Sequence, residues 1–468
     1  MSVYNQNRGG IIQIIIGTIF FLIVAQLVSL QVVSNKYKLA ADNNAIFRKI
    51  IYPDRGIIYD RKKRALLENT ISYDLVVIPN EAKGVDTAAL CNILHIDKAE
   101  YSKRIVEAII KNTRVKAGVF EPFLTPEIYA QLNENLYRFP GFSLSERSIR
   151  SYPYNTAALV LGYVAEVDVK FLKEHESEGY EMGDYAGMIG LEKNYETVLM
   201  GQRGVKRFLR DNKGKIQGPY EKGEFDTVAV AGKNLYTSID VQVQQLAEKL
   251  LQNKIGSAVA INPKTGGVIA MASSPSYNPN LLTGSQRRKT IGRLLLDTAR
   301  PIYNRAIKGQ YPPGSTFKPL GALIALDEGL ITPNFGYNCF GSYGACGDPR
   351  KCEHHNAGHA ANLQLALAYS CNSYFLQVFR MAIDNPKYKS AKAGYVKWKE
   401  YMNAFGFGRK LGIDLPSENK ANIPDTARYN KDFGNPKYWN SCYMLTLGIG
   451  QDRMTATPLQ LANSMAFI

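Results

Sequence analysis

Internal repeats, low-complexity tracts and nucleic-acid-binding motifs are all missing from this sequence. Their absence excludes repeat architectures and gives no support to a role in binding DNA or RNA. The net charge of +16 does not alter this, because the lysines and arginines are scattered along the chain. A scattered basic excess is typical of a solvated surface, and it also permits contact with lipid headgroups or an acidic glycan.

Charge is absent altogether between Arg8 and Lys36. The uncharged run, residues 9–33, is long enough to cross a membrane, which takes about 20 mostly apolar residues. A secretory signal peptide has a shorter apolar region and ends in small residues, and no Ala-x-Ala pattern closes this run. The run predicts an uncleaved anchor after a short tail, residues 1–8. No second span follows, so the remainder lies on one side of the membrane.

Residues 34–232 mix strand and helix patterns. Ile57 to Tyr59 and Ile71 to Pro79 predict strands, whereas apolar residues at helical spacing predict helices between 86 and 135. A second domain, residues 233–468, begins with a strand and an amphipathic helix, and a β-hairpin follows. The predicted class is therefore α+β multidomain.

A Ser-x-x-Lys pattern, Ser315 to Lys318, follows Pro312, Pro313 and Gly314. The proline and glycine residues interrupt the preceding structure, and the apolar pattern predicts a helix that begins at Ser315. One helical turn separates the two side chains, and the helix N-terminus and burial both lower the pKa of Lys318. The pattern predicts a serine nucleophile with a lysine base. Two fixed residues alone are better explained by a helix cap followed by a surface lysine, and the Pro-Pro-Gly segment and the apolar helix favour the nucleophile.

A Ser-x-Asn pattern, Ser370 and Asn372, stands just before an apolar helical run. A hydroxyl can relay a proton and a carboxamide can orient a substrate amide. Alone, the pattern is better explained by an N-cap serine with a nearby asparagine.

Together these patterns resemble the class B penicillin-binding proteins, for which Ser-x-x-Lys and a Ser-x-Asn element are characteristic. The form of the Ser315 segment and of the Gly190 segment favours the elongation type, penicillin-binding protein 2. The matching strings run along nearly the whole chain: RGIIYDR at 55–61, GLEKNYE at 190–196, YPPGSTFKP at 311–319, SCNSYF at 370–375, FGFG at 405–408 and TPLQLAN at 457–463.

The resemblance implies a transmembrane anchor, an elongated α+β pedestal of the dimerisation type over residues 34–232, and an α/β transpeptidase domain like the serine β-lactamases. Ser315 would attack the D-Ala-D-Ala bond of a peptidoglycan stem peptide, with Lys318 as base. Ser370 would relay the proton, Asn372 would hold the substrate amide, and the Ser315 N–H would help to bind the oxyanion. β-lactams would react at the same serine.

The family's third motif, Lys-Thr/Ser-Gly, does not follow the Ser-x-Asn element before Ile468. The Lys-Thr-Gly at Lys264 to Gly266 precedes the nucleophile, and its neighbours predict a hairpin turn, so it is a decoy. We therefore expect residues 233–468 to be a C-terminally incomplete domain, with the activity of this chain in question.

Four of the six cysteines fall in one stretch, Cys339, Cys346, Cys352 and Cys371, together with His354, His355 and His359. Thiolates with imidazoles suit a structural zinc ion, and the preferred set is Cys339, Cys352, Cys371 and either His355 or His359. The alternatives are a disulfide from Cys339 to Cys346 or Cys352, or inert cysteines. Cys91 and Cys442 stand apart.

Two further classes of function compete with the transpeptidase: a noncatalytic wall-synthesis scaffold, and a β-lactam sensor or hydrolase. The resemblance further implies a single-pass protein of the bacterial inner membrane with its catalytic domain in the periplasm. Its expected partners are peptidoglycan, a SEDS-family glycan polymerase and other elongation-complex proteins. No organic cofactor and no nucleic acid are expected.

Overall fold

The architecture is taken from a computed structural model of the full chain. It describes residues 6–28, 46–115, 117–180, 183–210, 216–284, 286–353, 358–433 and 439–468.

The first element is the helix α1, Gln6–Val28. Its segment Gly10–Val28 is long and apolar enough to cross a membrane, with a mean hydropathy of 2.6 and no part buried against the protein. The helix agrees with the predicted anchor as far as Val28, and residues 29–33 of the predicted span lie outside the described residues.

The region after α1 mixes strands and short helices, as predicted. Its strands are β1 Ile46–Ile51, β2 Ile58–Tyr59, β3 Ala65–Val77, β4 Gly118–Leu124, β5 Phe142–Ser151, β6 Val164–Glu166, β7 Tyr185–Gly187, β8 Gly204–Arg210 and β9 Ile216–Pro219. Its helices are α2 Thr87–Leu94, α3 Lys98–Asn112, α4 Pro126–Asn135, α5 Ala158–Leu161, α6 Val169–Glu174, α7 Gly190–Asn194 and α8 Glu196–Leu199.

The long strand β3 organises this region, because it pairs antiparallel with both β4 and β5. Helices α2 to α4 pack on this sheet around a separate apolar core that includes Leu75, Phe120 and Leu132. The expectation of helices throughout 86–135 was wrong at Gly118–Leu124. Strand β4 is selected by its pairing with β3, which helical spacing in the flanking segments does not reveal.

The second region surrounds a buried helix, α14 (Asn372–Ile383), and carries the candidate site. Its strands are β10 Leu235–Tyr236, β11 Gly256–Ile261, β12 Val268–Ser274, β13 Ser342–Tyr343 and β14 Arg350–Lys351. Its helices are α9 Val241–Leu250, α10 Arg287–Leu296, α11 Arg305–Lys308, α12 Lys318–Asp327, α13 Leu363–Ala368, α14 Asn372–Ile383, α15 Ala391–Ala404, α16 Thr426–Phe433 and α17 Pro458–Phe467.

Strand pairing and ion pairs both join the two regions. Strand β10 pairs in parallel with β2, so the first strand after residue 233 belongs to a sheet of the preceding region. Arg64 bridges Asp60 and Asp240. The predicted boundary between 232 and 233 stays a prediction, whereas the mixed α/β fold of two domains is confirmed.

Candidate active site

Ser315 lies in a 3₁₀ turn, Gly314–Phe317, immediately before α12. The prediction that an α-helix begins at Ser315 was therefore wrong by three residues. Gly314 has a φ of +60°, a left-handed conformation that favours glycine, and this turn presents the Ser315 side chain to solvent. An exposed serine at a fixed turn is accessible to a large substrate.

Lys318 is the first residue of α12, and its side chain points into the protein. Only 1% of its surface is exposed. Burial lowers the pKa of Lys318 below its ordinary value of 10.5, although nearby Cys352, Cys371 and Glu353 act in the opposite direction. The predicted direction of the pKa shift agrees with this environment, in which burial is the main cause.

The amine of Lys318 joins the two sequence motifs, which are 52 residues apart. Its Nζ donates to the carbonyl oxygen of Ser370 at 2.6 Å, to Ser370 Oγ at 2.8 Å and to Asn372 Oδ1 at 2.7 Å. Ser370 has a φ of +49°, unusual for a residue with a side chain, and this conformation turns both of its oxygens toward Lys318. None of the three acceptors is a carboxylate, so these hydrogen bonds do not pair the ammonium form of Lys318 with an opposite charge.

Asn372 is the first residue of α14 and is oriented from two sides. Its Oδ1 accepts from Lys318, and its Nδ2 donates to the carbonyl oxygen of Lys351 at 3.2 Å. The backbone of β14 therefore fixes the orientation of the Asn372 carboxamide in the site. Sequence reasoning missed Lys351, because a backbone carbonyl leaves no signal in residue identity.

Ser315, Lys318, Ser370 and Asn372 thus form one site rather than two separate motifs. In the part of the chain that the structure describes, no hydrogen bond joins Ser315 Oγ to Lys318, although the two residues are one turn apart. Active-site hydrogen bonds often close only when substrate is bound, and Ser370 Oγ offers a relay to the lysine meanwhile. This arrangement can generate a serine nucleophile.

The Lys-Thr-Gly at Lys264 to Gly266 lies where the sequence predicted it, in the turn between β11 and β12. The amide nitrogens of Thr265 and Gly266 both donate to Asn262 O, which closes the turn. Among the described residues, no hydrogen bond connects this segment to Ser315.

Behind the site, Cys339, Cys352, Cys371 and His359 are all buried, and their ligand atoms lie within 4.8 Å of one another. Cys352 Sγ and Cys371 Sγ are 3.9 Å apart. A tetrahedral zinc ion with Zn–S bonds of about 2.3 Å requires sulfur atoms about 3.8 Å apart, so this donor set fits zinc. Of the two histidines considered, His359 joins the set, and His355 lies outside the described residues.

A disulfide joins Cys346 to Cys442. The alternative pairings of Cys339 with Cys346 or Cys352 are therefore wrong, since neither Cys339 nor Cys352 forms a disulfide in the described part of the chain. Cys442, which is distant from the other cysteines in sequence, is the partner of Cys346. The two cysteines are 96 residues apart in sequence, and folding alone brings them together. Elimination was the available signal: once three thiols are assigned to a metal, Cys346 needs a partner. Cys91 is free and buried.

Comparison with known families matches two parts of the chain. Residues 256–468 match the penicillin binding protein transpeptidase domain, and residues 50–237 match the penicillin-binding protein dimerisation domain. The peptidoglycan D,D-transpeptidase MrdA of Haemophilus influenzae is 32% identical over 456 residues, which are 94% of this chain and 66% of that protein. MrdA of Escherichia coli K12 is 32% identical over 462 residues, 96% of this chain and 69% of that protein. The chain spans about two thirds of the length of these relatives.

Solved structures agree on the fold. Helicobacter pylori PBP2 in complex with MreC aligns with a TM-score of 0.71 and 24% identity, over 89% of this chain and 76% of that one. Pseudomonas aeruginosa PBP2 in complex with WCK 5153 aligns with a TM-score of 0.62 and 26% identity, over 90% and 70%. With both domains matched in order and one third of the residues shared with two D,D-transpeptidases, this chain belongs to the class B penicillin-binding proteins of the penicillin-binding protein 2 type.

Proposed function

We propose that the protein crosslinks peptidoglycan stem peptides as a serine D,D-transpeptidase. The observation that carries the proposal is the buried amine of Lys318, which contacts Ser370 and Asn372 one turn from the exposed Ser315. A buried lysine whose hydrogen-bond acceptors among the described residues are uncharged is poised to accept a proton, and the serine beside it is placed to attack.

The reaction follows from this placement. The neutral amine of Lys318 takes the Ser315 hydroxyl proton, directly or through Ser370 Oγ, while Ser315 Oγ attacks the carbonyl carbon of the penultimate D-Ala. The Ser315 N–H stabilises the oxyanion. The peptide bond breaks, the terminal D-Ala leaves with a proton on its nitrogen, and an ester to Ser315 remains. An amine of a neighbouring stem then attacks the ester, forms the crosslinking amide and returns the proton to Ser315 Oγ.

β-lactams would follow the first half of the same path. Ser315 opens the lactam amide and retains the acyl group as an ester, because no amine leaving group departs. Neither the scaffold nor the sensor or hydrolase reading is favoured by an observation, and both make different predictions for this ester.

Labelling with a fluorescent penicillin tests the proposal. We expect covalent labelling of the chain, complete loss in Ser315→Ala, and unchanged labelling in Ser417→Ala, which removes an exposed serine elsewhere in the domain. Absence of labelling in the parent chain would support the scaffold. Rapid release of the label as hydrolysed penicillin would support the hydrolase.

The location and partners belong to the same proposal. The apolar helix Gly10–Val28 would anchor the protein in the inner membrane with its catalytic domain in the periplasm. A pair of similar proteins supports elongation-complex partners: one was solved with MreC, and another in a peptidoglycan synthase complex that couples polymerisation and crosslinking. A SEDS-family polymerase is the expected partner in the membrane.

We also propose that Cys339, Cys352, Cys371 and His359 hold a structural zinc ion. The donor set supports this proposal, because three thiols and one imidazole are all buried and their ligand atoms lie within 4.8 Å of one another. Cys371 stands between Ser370 and Asn372, so a metal here would fix the backbone that presents both side chains. The ion would contribute to folding rather than to the chemistry of acyl transfer.

Elemental analysis of the purified chain, with and without reductant, tests the zinc site. We expect about one zinc per chain under both conditions, its loss in Cys352→Ser, and its retention in Cys91→Ser, a buried cysteine outside the cluster. Absence of zinc together with loss of free thiols would refute the site.

A further inference from the structure

The Cys346–Cys442 disulfide ties together the two segments that orient the catalytic residues. One is the hairpin formed by β13 and β14, with Cys346 in its connecting turn. The other is the 3₁₀ segment Ser441–Ile449, which begins one residue before Cys442. Each of these segments reaches a different side of the active site.

The hairpin side leads to Asn372. The carbonyl oxygen of Lys351, on β14, accepts a hydrogen bond from the Asn372 carboxamide. The hydroxyl of Tyr343, on β13, donates a hydrogen bond to Gln377 of α14. The amide of Cys352 donates to Gly341 O, which closes the base of the hairpin. A shift of the hairpin would therefore change the orientation of the Asn372 side chain.

The end of the segment Ser441–Ile449 contacts the turn that carries Ser315. Ser441 Oγ donates to Asp384 at the end of α14, and Gly450, which caps the segment, accepts from the amide of Gly314 at 2.8 Å. A Cβ on Gly450 would meet Gly314 O at 2.5 Å, so the two backbones are in close contact. The position of this segment therefore sets the turn that carries Ser315.

We infer that the Cys346–Cys442 disulfide positions two groups for acyl transfer. It fixes the turn that carries Ser315 relative to the carboxamide of Asn372. This inference rests on the proposed function of the site. The hairpin and the segment Ser441–Ile449 each contact α14, and the disulfide adds a covalent link between them. Both cysteines are half-buried, so a soluble reductant can reach them.

Hydrogen exchange of the full chain, oxidised and after treatment with dithiothreitol, tests the inference without requiring activity. We expect exchange to rise about tenfold or more in peptides covering 313–318, 342–351 and 370–374 on reduction, and not in 65–77 of the pedestal sheet. Cys346→Ser/Cys442→Ser should show the raised exchange and no further response to reductant. Cys91→Ser is the matched cysteine control. Unchanged exchange at 313–318 and 370–374, or six free thiols in the purified chain, would overturn the inference.

Acylation kinetics give a second readout. Because small misplacements of reacting groups cost up to about a hundredfold in rate, we expect reduction to lower the acylation rate constant about ten- to hundredfold. Zinc content should stay constant, and reoxidation should restore the rate in the parent chain. Equal acylation rates in oxidised and reduced protein would count against the inference while leaving the proposed function intact. Failure of the oxidised chain to acylate would count against the proposed function alone, since hydrogen exchange still decides the positioning role.

Discussion

Two cations in this molecule, one largely buried and one fully buried, have opposite surroundings. Arg55 in the pedestal donates to Glu192 and Glu196, and Arg150 joins Glu192 from the other side. Lys318 in the active site contacts a carbonyl, a hydroxyl and a carboxamide. Burial alone would lower the pKa of Arg55, but its two carboxylates raise it above the ordinary value. Burial lowers the pKa of Lys318.

The two environments suit different roles: a structural role for Arg55 and a role in proton transfer for Lys318. A cation matched by carboxylates keeps its proton and fixes the segments it joins, here the RGIIYDR and GLEKNYE strings. A cation surrounded by neutral acceptors loses its proton more easily and becomes available as a base.

Replacing Lys318 by methionine keeps the length of the side chain and removes the base. We expect penicillin acylation to fall about 10²- to 10⁴-fold, the usual contribution of general base catalysis. Unfolding by denaturant should show that the variant is no less stable than the parent, since a poorly solvated amine has been removed. Retention of acylation above a tenth of the parent rate would show that Lys318 is not the base.

Replacing Glu192 by glutamine should lower stability and leave acylation unchanged, which is the reverse of the effect expected for Lys318→Met. Glu192 is fully buried, and its loss leaves Arg150 without its carboxylate, so we expect the free energy of unfolding to fall by about 3–5 kcal/mol. Any residual folded protein should acylate at the parent rate. Glu176→Gln, at an exposed position, is the control and should change stability by less than about 0.5 kcal/mol. A neutral effect of Glu192→Gln would mean that the pedestal cluster does not hold its charges as described.

The pH dependence of acylation should follow the neutral fraction of Lys318. Because burial lowers its pKa below 10.5, the rate should rise about tenfold per pH unit and level off before pH reaches that value. The rise runs toward high pH because the amine must lose its proton to act. Stopped-flow acylation over a pH series measures it, and Lys318→Met should show no such rise.

The smallest effect concerns a helix cap in the pedestal. Asp97 accepts the amide of Glu100 at 2.7 Å at the start of α3. Asp97→Ala should lower the free energy of unfolding by about 1 kcal/mol and leave acylation unchanged. A loss of acylation in this variant would show that the stability of the pedestal and the rate of acylation are not independent.

Much of this account could be read from the sequence, because motif residues carry their own signal. The order of Ser315, Lys318, Ser370 and Asn372 predicted a candidate site in which the structure places Lys318, Ser370 and Asn372 in contact. Three cysteines with either His355 or His359 predicted the buried cluster, which contains His359. Contacts made over long distances in sequence could not be read in this way. The Cys442 pairing, strand β4 and the carbonyl of Lys351 depend on the folded arrangement, and nothing in the local pattern indicates them. The start of α12 was displaced because a 3₁₀ turn and a first helical turn share the same residue preferences.

A direct titration of Lys318 tests the central claim, that its surroundings make it a base. Lysines labelled with ¹³C at Cε can be followed by NMR over a pH series, with the Lys318 signal assigned by its absence in Lys318→Met. We expect a midpoint below 10.5, the ordinary value for lysine. A midpoint at or above that value would show that Lys318 holds its proton as firmly as a surface lysine, and would contradict its assignment as the base for Ser315.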